Sequence, residues 1–327
     1  MLNIIFVQGS GVGGSLASLH LLSPLSCNLY NNMIIQSGSP FSNVITMEEA
    51  LKRTKTLAHL VGCDQSSMLD CLRRIDAQVL INQELSVSDY SLNMEPFPPI
   101  IDGQFLLEDP EVLISNKIFK KCPILIGTNA NEGLSEMMEY LPELGLQANL
   151  FELDSDQLNS GLSRMFKSFT PALLNLIKFQ YGMFSDDETQ KTKVKRFFGL
   201  QSALADKEVS CKVDQIAKTY AKDGNNVFRY YFNPLDDNVL ASEFTYILGE
   251  PFKSLGKDQG GMSKIISSDM IKYWSQFSKF DSPSIDQEET IDWPRFEEPN
   301  YKYIKFEDES YDIGHDIRER VCLFWER

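Results

Sequence analysis

The chain has 327 residues, of which 43% are hydrophobic and 24% are charged, so it carries enough apolar material for one large domain or two smaller ones. Its formal net charge of −15 argues against nucleic acid as a partner, because nucleic acid needs clustered Lys and Arg. No apolar run reaches the roughly 18–20 residues that a membrane span requires. We interpret the scattered acidic residues as a solvated surface, with a cationic partner as the alternative.

In chain order, short β-rich runs alternate with longer helical patterns, which predicts an α/β fold with a mainly parallel sheet. The first strand is predicted at residues 3–7, a helix at 14–22 and a second, buried strand at 33–36. Thr46 is predicted to begin a helix with a capping box, because Glu49 follows three residues later.

The second half of the chain continues the alternation. An apolar run at 123–127 without polar interruptions predicts a strand buried on both faces. Residues 154–223 are predicted to be rich in helix, and 227–232 and 301–306 to be strands. A last helix, with one apolar face packed on the body, is predicted from residues at helical spacing: Ile313, Ile317, Val321 and Phe324.

Three glycines with the spacing of a dinucleotide-binding turn follow the first predicted strand: Gly9, Gly11 and Gly14. That motif requires an acidic residue at the end of the next strand, about 20 residues on, to hold a ribose. Here the next strand ends in Gln-Ser-Gly, and the first acidic residue is Glu48. We therefore expect the glycines to serve a tight turn and close helix–strand packing.

The same segment, Gly-Ser-Gly-Val-Gly-Gly at 9–14, with residues 18–24 and 33–40, closely resembles the nucleophile-elbow region of the type B carboxylesterase and cholinesterase family. The resemblance extends over nearly the whole chain, through Pro-Ile-Ile-Asp-Gly at 99–103, Asn-Ala-Asn-Glu-Gly at 129–133 and Gly-Glu-Pro-Phe at 249–252. It implies an α/β-hydrolase fold, N-terminally truncated, with residues 1–327 forming one partial carboxylesterase domain.

The resemblance also assigns positions to the hydrolase machinery. Gly11 stands where the nucleophilic serine is expected, Leu240 where the histidine is expected, and Glu132 where the acid of the triad is expected. Val12 offers one backbone N–H of an oxyanion hole, whose other donors come from a loop N-terminal to the elbow. Ser10 lies one position early and is expected to point elsewhere.

Serine-based acyl transfer needs the hydroxyl, a base within reach and a group that orients the base. The resemblance therefore implies a catalytically inactive member of the family, with an adhesion or protein-binding role. A weak or atypical carboxylic ester hydrolase and a non-functional fragment are the alternatives. None of the three histidines is expected to replace the base: His20 is predicted to be structural, His59 to pack or lie at the surface, and His315 to open the last helix.

Six cysteines are present. The resemblance implies two disulfides, Cys63 with Cys71 and Cys211 with Cys322, while Cys27 and Cys122 have no family partner and Cys122 is expected in the core. Two disulfides indicate an oxidising compartment, yet the N-terminus carries no leader pattern. We therefore predict an extracellular or cell-surface location if a signal peptide lies upstream.

The remaining expectations concern partners. No metal-ligand spacing is present, and no cofactor is implied. By resemblance, a homodimer would form through a helix bundle that includes residues 312–327, and a cell-surface protein is a further expected partner. A sheet that begins at residue 3 would expose an unpaired apolar edge, so we predict that the chain alone folds poorly unless a partner or upstream residues cover it.

Overall fold

The structure is a computed structural model that describes residues 4–42, 44–63, 66–84, 86–87, 95–146, 151–185, 187–233, 242–253, 261–284, 291–307 and 311–326. Its strands are β1 (Phe6–Ser10), β2 (Asn32–Gln36), β3 (Ile45–Thr46), β4 (Ile100–Ile101), β5 (Ile124–Asn129), β6 (Val227–Asn233), β7 (Tyr303–Glu307) and β8 (Tyr311–Gly314).

The α-helices are α1 (Val12–Leu19), α2 (Met47–Leu60), α3 (Met68–Leu72), α4 (Ala77–Glu84), α5 (Pro110–Ser115), α6 (Leu134–Tyr140), α7 (Ser155–Met165), α8 (Pro171–Gln180), α9 (Gln190–Ala205), α10 (Cys211–Lys222), α11 (Glu243–Ile247), α12 (Glu250–Lys253), α13 (Gly261–Phe280) and α14 (Glu319–Trp325). A 3-10 helix spans Pro142–Leu146, and a π-helix spans Asp206–Ser210.

The main sheet has six strands in the order β1-β2-β5-β6-β7-β8. The first five pair in parallel, and β8 runs antiparallel to β7. Helices cover both faces, so the predicted α/β architecture with a mainly parallel sheet is confirmed. Because the parallel strands share one direction, their carboxyl ends meet at a single edge of the sheet, where α/β proteins place ligand sites.

The two faces of the sheet bury alternate side chains of the same strands. Ile34 and Leu125 pack on the side of α13, whereas Met33, Ile35 and Ile124 pack on the side of α10. All five are at most 1% exposed, which explains why these strands read as continuous apolar runs.

A third apolar cluster lies outside the sheet, in the predicted helix-rich region. Helices α6, α7 and α9 contribute Met137, Leu162, Phe197 and Leu200 to it, and the partly buried Trp325 of α14 packs against it. This helical unit forms one wall of the cavity described below.

The first strand is shifted from its predicted bounds. It was expected at 3–7, whereas β1 pairs residue by residue with β2 from Phe6 opposite Asn32 to Ser10 opposite Gln36. The ladder with β2 therefore sets the strand's position and carries it beyond the apolar run. On its other side β1 has no partner among the described residues. Ile5, the residue just before β1, is 53% exposed. The poor folding expected from this edge stays a prediction.

The prediction of a C-terminal helix over 312–327 is wrong for the residues before Glu319, where α14 begins. Ile313 lies in β8, opposite Ile304 of β7, and Ile317 precedes α14. His315 accordingly lies between the strand and the helix. The apolar spacing fits a helix, but the antiparallel ladder with β7 overrides that local pattern.

At the start of α2, one of the two hydrogen bonds of the predicted capping box is present. Thr46 is the N-cap, and its hydroxyl accepts the backbone N–H of Glu49 at 3.2 Å. The Glu49 carboxylate instead accepts Arg53 Nε at 2.9 Å. The ion pair replaces the second bond of the predicted capping box.

Candidate functional site

Three chain segments meet at the carboxyl ends of neighbouring strands. Gly11 follows β1, Ser37 follows β2, and Glu132 lies in the turn after β5. All three line one cavity of about 280 Å³. The structure thus brings together two of the positions that the sequence singled out, Gly11 and Glu132, and adds Ser37.

Gly11 forms the turn from β1 into α1. It is the N-cap of α1 with φ 57° and ψ −123°, a conformation that L side chains rarely adopt. Its N–H donates to Gln36 O at 2.9 Å, and its carbonyl accepts from Ser15 N at 3.0 Å. A Cβ placed on Gly11 would meet nothing within 4 Å, so the turn presents an open space at this position.

The glycines on either side of Gly11 allow the close packing that the sequence predicts. A Cβ on Gly9 would lie 2.0 Å from Gly13 O, and one on Gly14 would lie 2.6 Å from Gln36 O. Real Cβ atoms do not approach backbone oxygens so closely. Helix α1 can therefore pack on β1 and β2 only because these positions lack side chains, which confirms the packing role expected for the glycines.

The Glu132 carboxylate is held on one side by neighbouring strands. Its Oε1 accepts Ser37 Oγ at 2.5 Å, the backbone N–H of Asn129 at 2.7 Å and Asn129 Nδ2 at 3.2 Å. Ser37 has φ 51°, an uncommon conformation for a residue other than glycine. The sequence reasoning missed Ser37, although its place directly after a buried strand could have indicated it.

A second carboxylate, Glu243, lies behind the first. Asn129 links them, since its Oδ1 accepts Glu243 N at 3.1 Å. Glu243 Oε1 accepts Gln36 Nε2 and the Tyr230 hydroxyl, both at 3.0 Å. Glu243, the first residue of α11, is 0% exposed, so the turn after β5 and the start of α11 bring two carboxylates into one hydrogen-bonded network. The sequence reasoning missed this residue as well, because nothing in its local pattern marks it as buried.

Burial, together with the nearby Glu243, raises the pKa of Glu132 to about 7, although the hydrogen bonds from Ser37 and Asn129 oppose the shift. The carboxyl is therefore divided between its charged and neutral forms near neutral pH. A titrating group in a cavity at the carboxyl ends of parallel strands is a feature of functional sites.

The cavity wall combines apolar and charged groups. Val12 and Leu16 of α1 and Leu204 of α9 provide apolar surface. Glu208 of the π-helix and Lys212 also line it, and they pair at 3.0 Å. The pKa of Glu208 falls to about 2, because Lys212 and Lys207 outweigh the effect of burial.

Of the other predicted site residues, the structure describes Val12 and Ser10. Val12 is the first residue of α1, so its N–H has no acceptor within the helix, and the residue lines the cavity. Ser10 does not line it, as expected for a residue one position early. Leu240 lies outside the described residues.

The three histidines are described, and none of them lines the cavity. His20 packs edge-on against Phe105 with ring centroids 5.1 Å apart, and burial lowers its pKa. His59 and His315 are exposed. No histidine of the chain is therefore placed to act as a base at Gly11.

Both implied disulfides are formed, Cys63 with Cys71 and Cys211 with Cys322. Cys27 and Cys122 are free, and Cys122 is buried as expected. The second disulfide ties α10 to α14, and the nearby Arg318 forms an ion pair of 2.5 Å with the fully buried Asp206. The C-terminal segment is thus fixed to the helical unit next to the cavity.

A second hollow, which we call the α8/α14 groove, has a volume of about 730 Å³. Seven of its eight lining residues are apolar: Phe169, Leu173, Leu176, Ile177, Leu323, Phe324 and Trp325; the eighth is Arg320. Leu176 and Leu323 are about half exposed, and Phe179 beside them is 74% exposed. Contiguous apolar surface of this kind is typical of protein-interaction sites.

Within the described ranges, no group of three His, Cys, Asp or Glu side chains is arranged to hold a metal ion. In the same residues, no helix has the length and apolar character to cross a bilayer.

Residues 3–325 match the model of the carboxylesterase family. The chain is 27% identical over 336 residues to an acetylcholinesterase of Bungarus fasciatus, with 98% of this chain and 55% of the relative covered. It is 29% identical over 346 residues to a cholinesterase of Mus musculus, with 98% and 55% covered. It is 25% identical over 378 residues to an acetylcholinesterase of Danio rerio, with 99% and 58% covered. The chain thus spans little more than half the length of these relatives.

Proposed function

The chain belongs to the carboxylesterase family, and we propose that within this family it is a non-catalytic protein whose hydrolase scaffold serves protein binding. One observation carries the proposal: the turn between β1 and α1 has the sharp conformation of a nucleophile elbow, yet its central residue, Gly11, has no side chain. Among the described residues, no heavy atom lies within 4 Å of a Cβ placed on Gly11.

The surroundings of Gly11 support the same conclusion. Acyl transfer needs a base within about 3 Å of the nucleophile, and none of the three histidines lines the cavity. Glu132 remains as an orienting carboxylate with no histidine to orient. Losing a triad member leaves only the residual rate from binding and the oxyanion hole, several orders of magnitude below a complete site.

For the binding role, the α8/α14 groove is the surface we propose. Its apolar lining, together with the exposed Phe179, matches the core of a protein interface better than a solvated surface. We propose a homodimer through this groove, and a cell-surface protein as a further partner. The two disulfides support an extracellular or cell-surface location for these contacts, since such bonds persist in oxidising compartments.

Catalysis is tested with a fluorophosphonate probe and a nitrophenyl ester. We expect neither labelling nor turnover above the buffer rate, with a cholinesterase as the positive control and circular dichroism as the check on folding. Stoichiometric labelling would overturn the proposal in favour of a weak hydrolase, the alternative supported by the retained Glu132 and the Val12 N–H.

Self-association is tested separately by sedimentation equilibrium. We expect a dimer that Leu323→Asp dissociates, because the charge would lie in the apolar groove. Val79→Asp is the matched control, since Val79 of α4 is 45% exposed outside the groove. A monomer at all concentrations would contradict the dimer but leave the non-catalytic proposal intact.

A further inference from the structure

The Glu132 carboxylate is satisfied on only one of its two oxygens. Ser37 Oγ, Asn129 N and Asn129 Nδ2 all reach Oε1. Among the described residues, no group donates to Oε2. Because Glu132 lines the cavity over Gly11, a ligand in that cavity can supply the missing donor.

The cavity has room for such a ligand, and a Cβ placed on Gly11 would meet nothing within 4 Å. Its volume of about 280 Å³ lies just below the range of pockets for drug-sized ligands, roughly 300–1,000 Å³. Val12, Leu16 and Leu204 give it an apolar wall. The shape and lining fit a molecule of a few heavy atoms with one polar end.

We propose that this cavity binds a primary ammonium group on a short apolar body, with Glu132 Oε2 accepting one of its N–H bonds. The apolar body packs against the α1 wall above Gly11. This inference goes beyond the scaffold role, since it assigns a small-molecule ligand that needs no turnover.

The charges around Glu132 favour a cation. Glu243 lies behind it in the shared network, and Glu136 and Glu95 line the same cavity. No described Lys or Arg forms an ion pair with any of these carboxylates. Lys212 also lines the cavity, and it shares Glu208 with Lys207. Four carboxylates line the cavity (Glu95, Glu132, Glu136 and Glu208) against one lysine, so an ammonium group would enter a region where acidic groups outnumber basic ones.

The N–H bonds distinguish this ligand from a quaternary ammonium ion. A charge-assisted hydrogen bond is shorter and stronger than a neutral one, and it needs a proton on the cation. A quaternary ammonium ion has none. Such ions are instead recognised over aromatic faces, and the cavity is lined by one aromatic side chain among the described residues, Tyr140.

Binding depends on pH through Glu132. Its pKa of about 7 means that most of the carboxyl is protonated at pH 6 and ionised at pH 8. A primary amine resembles lysine, whose pKa lies near 10.4, so it stays charged at both values. Binding should therefore strengthen roughly tenfold from pH 6 to pH 8, in proportion to the ionised fraction of a group with this pKa.

The test is calorimetric titration of the full chain with butylamine at pH 6 and pH 8. We expect binding at pH 8, a roughly tenfold weaker affinity at pH 6, and at least a tenfold weaker affinity for tetramethylammonium, which carries the same charge without N–H. Butan-1-ol, a neutral donor of the same length, should also bind at least tenfold more weakly. These comparisons use the unmodified protein.

Two variants locate the site. Glu132→Gln should weaken butylamine binding at least tenfold at pH 8 and remove the pH dependence, whereas Glu136→Gln, in the same cavity, should keep the pH dependence. Absence of butylamine binding would overturn the proposal. So would equal affinity for tetramethylammonium or butan-1-ol, or a Glu132→Gln variant that binds like the native chain. None of these results depends on whether the protein hydrolyses esters or forms dimers.

Discussion

Replacing Glu132 with glutamine should remove a defined pH dependence from the stability of the protein. The ordinary glutamate pKa of 4.5 is raised to about 7 in the native state. Between these values the native chain holds a proton that the unfolded chain has released. The free energy of unfolding contributed by Glu132 is therefore fully present below pH 4.5 and is lost as the pH rises through 7.

The magnitude follows from the shift of about 2.5 pH units between 4.5 and 7. At about 1.4 kcal/mol per unit, the native chain should lose up to about 3–4 kcal/mol across this window. That figure is an upper bound, because the cavity keeps part of the side chain in contact with solvent. Glutamine has nearly the same shape and does not titrate, and its oxygen can still accept from Ser37 and Asn129.

The assay is urea unfolding of the native chain and Glu132→Gln at half-unit steps from pH 5 to pH 8. His20 contributes a pH dependence of the opposite sign, since burial lowers its pKa. The measured quantity is therefore the difference between the two proteins, which cancels this shared contribution. Glu139→Gln, an exposed residue of α6, is the control and should follow the native curve. If the variant keeps the native slope, a group other than Glu132 holds the proton and the prediction is wrong.

Two further predictions concern how the site is held in place. Gly9→Ala should destabilise the protein by at least about 3 kcal/mol or prevent folding, because the new Cβ would lie 2.0 Å from a backbone oxygen. The control is Gly13→Ala, whose Cβ would meet nothing within 4 Å. It should be neutral or stabilise the protein by up to about 1 kcal/mol. Thermal unfolding of the two variants checks this contrast, and equal losses would contradict it. Replacing Cys211 and Cys322 together by serine should lower the free energy of unfolding by about 4–5 kcal/mol, since their disulfide closes a loop with a sequence separation of 111. Urea unfolding measures this loss, and an unchanged midpoint would show that α14 is held by other contacts.

Much of the fold can be predicted from the sequence because its signals are local. Continuous apolar runs predict the buried strands β2 and β5. The glycines around the start of α1 predict a tight turn and close packing of the helix on the strands. The predictions of secondary structure fail where pairing with a strand that is distant in the sequence sets the type or the bounds of an element. Ile313 is in a strand because β7 pairs with it, and β1 ends at Ser10 because β2 extends that far. Neither ladder is visible from the residues themselves.

The site divides in the same way. Gly11 and Glu132 could be found from the sequence, because each lies in a segment with a recognisable pattern. The environment of Glu132 could not, because Ser37 and Glu243 are 95 and 111 residues away from it along the chain and become neighbours only when β2, β5 and α11 assemble. The pKa of about 7 follows from that assembly. The sequence alone therefore identifies Gly11 and Glu132 but not the protonation state of the Glu132 carboxyl.

The support of Glu132 is also independent of position 11. Its three hydrogen bonds come from Ser37 and Asn129, at the ends of β2 and β5, and none comes from the turn between β1 and α1. The hydrogen bonds that hold the carboxylate therefore do not require a side chain at position 11. The geometry around Glu132 is therefore compatible with our proposal of a non-catalytic protein whose cavity binds a ligand.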